Sequence, residues 1–139
     1  MAGRLLRALL LLAWAIPALP CQAAADPAVD EPHQEYLYYR DVMVPQFQKL
    51  REFFDMPDRP GHYEVTMVSD AIGPLTFRLV RVHGDHEVTV AQKRSYHVGD
   101  HQFQYGFDNP HGADDLLVEI ANSNPAVAAK VSVYVVELP

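Results

Sequence analysis

The 139-residue sequence contains only one cysteine and one tryptophan, and both lie within the first 25 residues. If that segment is removed, Cys21 and Trp14 leave with it. The remaining chain then cannot form a disulfide, so packing alone must stabilise the fold. It also has no thiol to act as a catalytic nucleophile.

Motifs of common enzyme classes are also missing from the chain. None of its four serines lies in a Gly-x-Ser-x-Gly context, and no glycine-rich phosphate loop occurs. Asp114 and Asp115 are adjacent, and neighbours on a strand point to opposite faces, so they cannot act together as acid and base. The sequence therefore predicts a protein without catalytic activity. A small hydrolase, or an inhibitor of one, is an alternative.

Positive charge is scarce. Without residues 1–25, nine basic side chains stand against 18 acidic ones, a net charge of −9 with the histidines neutral. Nucleic acids and anionic membrane surfaces both attract basic proteins. The composition as a whole therefore argues against either of them as a partner.

The first 25 residues have the three-part layout of a secretory signal peptide. Residues 1–7 carry two arginines and no acid, residues 8–16 are an unbroken apolar run, and residues 23–25 are three alanines that suit cleavage. The apolar run is about half of the roughly 20 residues that a membrane-spanning helix needs. We therefore predict cleavage after Ala25, export to the periplasm or beyond, and no transmembrane span in the mature chain.

Cys21 offers an alternative, in which it is acylated and becomes the N-terminus of a lipoprotein. Pro20 directly precedes it, and a proline before the cut is awkward for a peptidase, so we predict no lipid anchor. Residues 26–34 are polar and contain proline. They are expected to form a flexible mature N-terminus.

Residues 35–56 are predicted to form a helical, aromatic arm. Pro45 suits the first turn of a helix, and apolar residues then recur at helical spacing up to residue 54. Residues 35–44 are ambiguous between a preceding helix and an edge strand. Because aromatic residues are enriched at protein interfaces, the arm is the predicted docking surface for a partner. Its candidate contact residues are Tyr36, Tyr38, Tyr39, Phe47 and Phe54. The alternative is that its tyrosines pack the arm onto the sheet.

From Gly61 onward apolar and polar residues alternate with a period of two, which is typical of half-buried strands. Turn-forming residues separate the runs. We predict an all-β fold over residues 61–139, an antiparallel, jelly-roll-like β-sandwich of about six to eight strands. The residues predicted to face its core are Tyr63, Val65, Met67, Leu75, Phe77, Leu79, Val88, Val90, Phe103, Tyr105, Phe107, Leu116, Val118, Ile120, Val131, Val133 and Val135.

The rhythm of these strands resembles that of small jelly-roll-like modules appended to secreted proteins. The strand Gly-Pro-Leu-Thr-Phe-Arg-Leu at residues 73–79 and the Asn-Ser-Asn-Pro turn at residues 122–125 are similar to those of the pre-peptidase C-terminal family. The resemblance covers residues 63–138 and implies an accessory, non-catalytic β-module. The aspartate-rich metal turn of that family is not evident here, and no functional residue is carried over.

Two groups of histidines at predicted turns are candidate metal ligands. His83 and His86 flank a Gly-Asp turn, and a tight hairpin would place them opposite each other, with Cβ atoms about 5 Å apart. Together with Asp85 or Glu87 they could hold Zn²⁺ or Cu²⁺. The second group comprises His97, Asp100 and His101.

A single strand over residues 86–97 would be about 35 Å long, so the two histidine groups would lie at opposite ends of the sandwich. Histidines that are solvent-exposed or satisfied by protein partners are the alternative, and no cofactor is then needed. The sequence as a whole favours an exported, non-catalytic module that contacts another extracytoplasmic protein. A periplasmic Zn²⁺- or Cu²⁺-binding protein is the second hypothesis.

Overall fold

The computed structural model describes residues 35–139, so the predicted signal peptide and the predicted flexible segment at residues 26–34 lie outside the described residues. Residues 35–139 form eight strands and no helix. No segment in this range could cross a membrane as an apolar helix. The strands are β1 (Tyr36–Val44), β2 (Lys49–Phe54), β3 (Gly61–Ser69), β4 (Leu75–His83), β5 (His86–Ser95), β6 (His101–Asn109), β7 (Asp115–Asn122) and β8 (Ala129–Leu138).

The strands form two antiparallel sheets with the orders β1-β8-β3-β6 (sheet A) and β2-β7-β4-β5 (sheet B). Four strand pairs are nested one inside the next, as in one long hairpin whose two arms are rolled together. They are β1 with β8, β2 with β7, β3 with β6 and β4 with β5. Successive pairs lie alternately in sheet A and sheet B. Pairing of β3 with β8 joins the two pairs of sheet A, and pairing of β4 with β7 joins those of sheet B. This is a jelly roll, and the predicted all-β sandwich is confirmed.

The core lies between the inner faces of the two sheets and confirms most of the predicted positions. The predicted core residues that are buried are Tyr63, Val65, Met67, Leu75, Phe77, Leu79, Phe103, Phe107, Leu116, Val118, Ile120, Val131, Val133 and Val135.

Three core predictions differ from the structure. Tyr105 and Val88 are exposed, and Val90 is only partly buried. All three lie on β5 or β6, which are edge strands of their sheets. Val90 has no cross-strand partner, because the register of β4 against β5 shifts between Leu79 and Val80. For Val88 and Tyr105, an edge strand has a neighbouring strand on one side only, so alternation does not guarantee burial.

The helix predicted over residues 45–54 is wrong. Lys49–Phe54 is β2, which pairs with β7 from Lys49↔Ala121 to Phe54↔Leu116. Residues spaced by four share a face in both a helix and a strand, and Leu50 and Phe54 have that spacing. That spacing therefore did not distinguish the two structures, and of the apolar residues in the predicted helix only Phe54 is buried, with Leu50 partly buried.

The segment at residues 35–56 is part of the sandwich, not an arm beside it. Of the two structures left open for residues 35–44, the edge strand is the correct one, since Tyr36–Val44 is β1 and pairs with β8. The sandwich thus begins at Tyr36 rather than at Gly61. Val42, Val44 and Phe54 from this segment belong to the core.

The connections between strands lie at the two ends of the sandwich. The loops β1–β2, β3–β4, β5–β6 and β7–β8 share one end, which we call the loop apex and which comprises residues 45–48, 70–74, 96–100 and 123–128. The opposite end holds the β2–β3 loop, the β4–β5 hairpin and the β6–β7 loop.

Candidate functional site

Large apolar side chains project into solvent from all four loops of the loop apex. Their exposed fractions range from 49% to 81%. Soluble proteins rarely expose grouped apolar side chains except at interaction sites. The residues are Phe47, Ile72, Tyr96, Val98 and Val127.

Phe47 is the most unusual of these residues. Its φ of 53° is left-handed, a conformation that costs a residue other than glycine about 1–3 kcal/mol. Its side chain is 71% exposed, so burial does not offset this cost. Its backbone N–H donates to the carbonyl of Asn124 at 3.2 Å, which helps to hold the turn. A strained turn that presents a phenylalanine to water is typical of a contact residue.

Asn124 joins three loops of the apex. Its side-chain Nδ2 donates to the carbonyl of Ile72 at 2.7 Å, and its Oδ1 accepts from the backbone N–H groups of Ala126 and Val127 at 2.8 and 3.2 Å. Together with the bond from Phe47 to its carbonyl, these contacts link the loops β1–β2, β3–β4 and β7–β8. The exposed apolar side chains are thus held by a network of hydrogen bonds.

His101 connects the fourth loop to the others and is 1% exposed. Its Nε2 donates to the carbonyl of Ala71 at 2.9 Å, because a carbonyl only accepts, and its Nδ1 then accepts from the hydroxyl of Ser95 at 2.7 Å. Gly99 also donates to the carbonyl of Ala71, at 3.1 Å. Both ring nitrogens are engaged, so metal binding at His101 would have to break one of these bonds.

A cleft of about 490 Å³ opens beside the loop apex. Ile72 and Val127 line it together with the charged side chains of Asp70, Asp100 and Lys130. The cleft therefore extends the apolar surface toward groups of both charges. Its size suits a side chain or a short segment of a partner.

The other histidine group lies at the opposite end of the sandwich. β5 spans His86 to Ser95 with a register shift against β4 near Val90, and His83 pairs with His86 across the β4–β5 hairpin, as the sequence predicted. The Nδ1 of His83 is 2.8 Å from a carboxylate oxygen of Asp114. Glu87, a predicted ligand, instead forms an ion pair with an arginine.

The remaining predicted ligands do not complete a metal site. Asp85 lies in the hairpin turn, whereas Asp100 lies at the loop apex, and the ring of His97 is 6.3 Å from that of His101. Within residues 35–139, no three His, Cys, Asp or Glu side chains are arranged to hold a metal ion.

The aromatic residues predicted as one docking surface are divided by the structure. Tyr36 and Tyr39 lie on the outer face of sheet A, where their rings are 5.4 and 5.0 Å from that of Tyr134. Tyr38 packs on Phe54 with ring centroids 5.4 Å apart, and Phe54 is buried in the core. Of the five predicted contact residues, only Phe47 lies at the loop apex.

Reasoning from the sequence missed Ile72, Val98 and Asn124. A signal was available for the first two, because each is an apolar residue directly beside a turn glycine, Gly73 or Gly99. Such a residue has no strand neighbours to bury it. The turn role of Asn124 was recognised, but its contacts with distant loops were not.

Comparison with known proteins supports the fold alone. No family model matches the chain, and no curated protein sequence does either. The resemblance of the strand rhythm to the pre-peptidase C-terminal family therefore stays a prediction.

Solved structures resemble this one at low sequence identity. Similarity to PirA has a TM-score of 0.50 at 15% identity and covers 77% of this chain and 99% of PirA. For the Yersinia pseudotuberculosis-derived mitogen (YPM), the TM-score is 0.53 at 14% identity, with 71% and 83% covered. For CBM4 it is 0.43 at 11% identity, with 72% and 71% covered. The similarities to PirA and YPM support the β-sandwich fold and nothing beyond it.

Proposed function

We propose that this chain is an exported, non-catalytic binding module that contacts another extracytoplasmic protein through the loop apex. The observation that carries the proposal is Phe47, whose left-handed backbone and 71% exposed ring cost the free protein stability without any packing in return. A partner that buries the ring would supply the missing apolar contact. The signal-like layout of residues 1–25 supports export.

The four loops of the apex are already held in one arrangement, and this favours tight docking. Ordering loops and side chains is a large part of the free-energy cost of association. Here Asn124 and His101 already hold the four loops together. Aromatic side chains in such settings act as anchors, and Phe47 and Tyr96 can both serve. The cleft beside Ile72 can receive a side chain from the partner.

Site-specific photocrosslinking in the native extracytoplasmic compartment tests this proposal. A photoreactive phenylalanine replaces Phe47 or Tyr96 at the apex, and Val88 serves as the control because it is 58% exposed on β5. We expect one protein adduct of the same mass from both apex positions and none from Val88. Equal labelling at all three positions, or labelling at Val88 only, would show that the apex is not the docking surface.

A second candidate function is metal binding at the β4–β5 hairpin. The supporting observation is Asp114, which accepts a hydrogen bond from Nδ1 of His83 and thereby leaves Nε2 free as a ligand. His86 lies directly opposite. A thermal melt with added Zn²⁺ or Cu²⁺ tests this, since a ligand specific for the native state raises stability by about 2.7 kcal/mol at a hundredfold of its dissociation constant. If the added metal still raises the melting temperature of both His83→Ala and His86→Ala, the hairpin is not the metal site.

A further inference from the structure

The outer face of sheet B carries a basic patch, although the chain as a whole is acidic. We define the basic patch as four side chains: Lys49, Arg51, Arg78 and Arg94. Residues 35–139 contain nine basic and 15 acidic side chains. The carboxylates in contact with the patch are Glu119 and Glu87, which leaves five basic and 13 acidic side chains elsewhere in this range. Positive charge is thus concentrated on one face.

Strand register arranges the patch in two adjacent rows. Arg51 and Arg78 both pair with Glu119 and form the first row. The second row lies two residues away along each strand and has Lys49 and Arg94 at its ends.

Short side chains lie between the two ends of the second row. Lys49 pairs with Ala121, Ala121 with Thr76, and Thr76 with Arg94. Since neighbouring strands are about 4.8 Å apart, this row spans about 14 Å. The second row thus has a cation at each end and the hydroxyl-bearing side chain of Thr76 between them.

The charges within the patch do not balance. The carboxylate of Glu119 is 9% exposed and lies 3.0 Å from Nζ of Lys49, 3.2 Å from Nη1 of Arg78 and 3.5 Å from Nε of Arg51. Glu87 contacts Arg51 at 2.6 Å. Two carboxylates therefore face four cations. The repulsion among these cations would be relieved by an anion that binds between them.

Arg94 is the cation of the patch that is most available to a ligand. It is exposed, and within residues 35–139 it has no ion pair. Its guanidinium lies 5.2 Å from the ring centroid of Tyr96, which restrains the side chain. A restrained guanidinium binds sulfate or carboxylate groups through paired N–H donors.

We infer that the basic patch binds a linear anionic polysaccharide, with Arg78, Arg94 and Lys49 contacting its acidic groups. A span of about 14 Å is too long for one inorganic anion, but it suits a chain that repeats its charges. The hydroxyl of Thr76 and the amide of Gln92, which pairs with Arg78, can bind sugar hydroxyls. The choice of a polysaccharide also rests on the proposed export, since polysaccharides are among the polyanions outside the cytoplasm.

Charge density argues against nucleic acid on this face. Duplex DNA carries about one charge per 1.7 Å, or about eight charges over the roughly 14 Å of the second row, which is twice the number of cations in the patch. The polysaccharide hypothesis does not depend on docking at the loop apex, because none of the four cations of the basic patch is an apex residue. Tyr96, whose ring contacts Arg94, links the two surfaces.

Heparin is the probe for the test, measured by calorimetry with the protein purified after export, at several salt concentrations. Arg94→Gln is the informative variant, because Arg94 has no ion pair within residues 35–139 whose loss could destabilise the fold. Lys130→Gln is the matched control, since it removes the same charge from the outer face of sheet A. We expect Arg94→Gln to weaken binding about tenfold and to lower the slope of log affinity against log salt by about one. Lys130→Gln and Phe47→Ala should bind as the wild type does.

Three results would overturn the inference. Equal loss in Arg94→Gln and Lys130→Gln would mean that only net charge matters. Equal affinity for single-stranded DNA of matched charge would mean that the patch does not select a polysaccharide. Absence of heparin binding at about 0.15 M salt would mean that the patch is not a polyanion site.

Discussion

The side-chain amide of Asn124 donates a hydrogen bond of 2.7 Å to the carbonyl of Ile72, across 52 positions in the chain. This bond joins the β7–β8 loop to the β3–β4 loop, each of which carries exposed apolar side chains. The order of the proposed docking surface therefore depends on a polar residue within it.

Asn124→Ala should destabilise the protein by about 1–3 kcal/mol, because it leaves the Ile72 carbonyl and two backbone N–H groups without their partners. Urea unfolding measures this. Gln46→Ala is the control, since Gln46 donates only one exposed bond, of 3.2 Å, to the neighbouring loop. If Asn124→Ala lowers the free energy of unfolding by no more than Gln46→Ala does, the role assigned to Asn124 is wrong.

Phe47→Gly should be more stable than Phe47→Ala by about 1 kcal/mol, because only glycine adopts a left-handed backbone without strain. At an ordinary exposed position the glycine variant would be the less stable one. Thermal melts of the two variants decide the sign. If the alanine variant is the more stable, the turn is not strained at Phe47.

Phe77→Ala should cost about 3–5 kcal/mol, because it opens a cavity between the sheets. Phe77 is fully buried, and its ring centroid lies 5.9 Å from that of Phe103. Val88→Ala on the edge strand β5 should change the free energy of unfolding by less than about 0.5 kcal/mol. Chemical denaturation of both variants tests the assignment of the core.

Stability should fall in acid partly through Glu137. Hydrogen bonds from the Arg59 guanidinium lower the pKa of Glu137 below its ordinary value. A lowered folded-state pKa stabilises the protein above the unfolded pKa of about 4.3, and this contribution is lost as the pH falls through the folded value.

Glu137→Gln tests this contribution, since it should make the loss of melting temperature between about pH 5 and pH 2 shallower. Glu64→Gln on the neighbouring strand β3 is the control, because it removes the same charge and Glu64 forms no ion pair within residues 35–139. An unchanged slope in Glu137→Gln would show that its ion pair with Arg59 does not contribute.

Much of the strand pattern could be predicted from the sequence, because alternation and turn residues are local properties. The β4–β5 hairpin shows this best, since its Gly-Asp turn fixed the pairing of His83 with His86. The error over residues 45–54 arose where local spacing fits two structures. Only pairing with β7 decides between them, and β7 lies more than 60 residues away.

The candidate sites were much less predictable than the strands. Phe47 was identified from its aromatic character, but as part of a helical arm. Arg51, Arg78 and Glu119 come from three strands that are separate in sequence and adjacent in sheet B. Nothing in their local sequence shows that they form one row.

The sequence by itself determined that the chain is a cysteine-poor, antiparallel β-sandwich, because burial of alternate apolar residues leaves few other folds. Tertiary structure alone decided which turns meet at the loop apex and which charges share the basic patch. The rolled pairing of distant strands places Phe47 beside Asn124 and Arg51 beside Arg78 through Glu119. Such contacts depend on the whole topology, whereas the alternation of a strand depends only on its own residues.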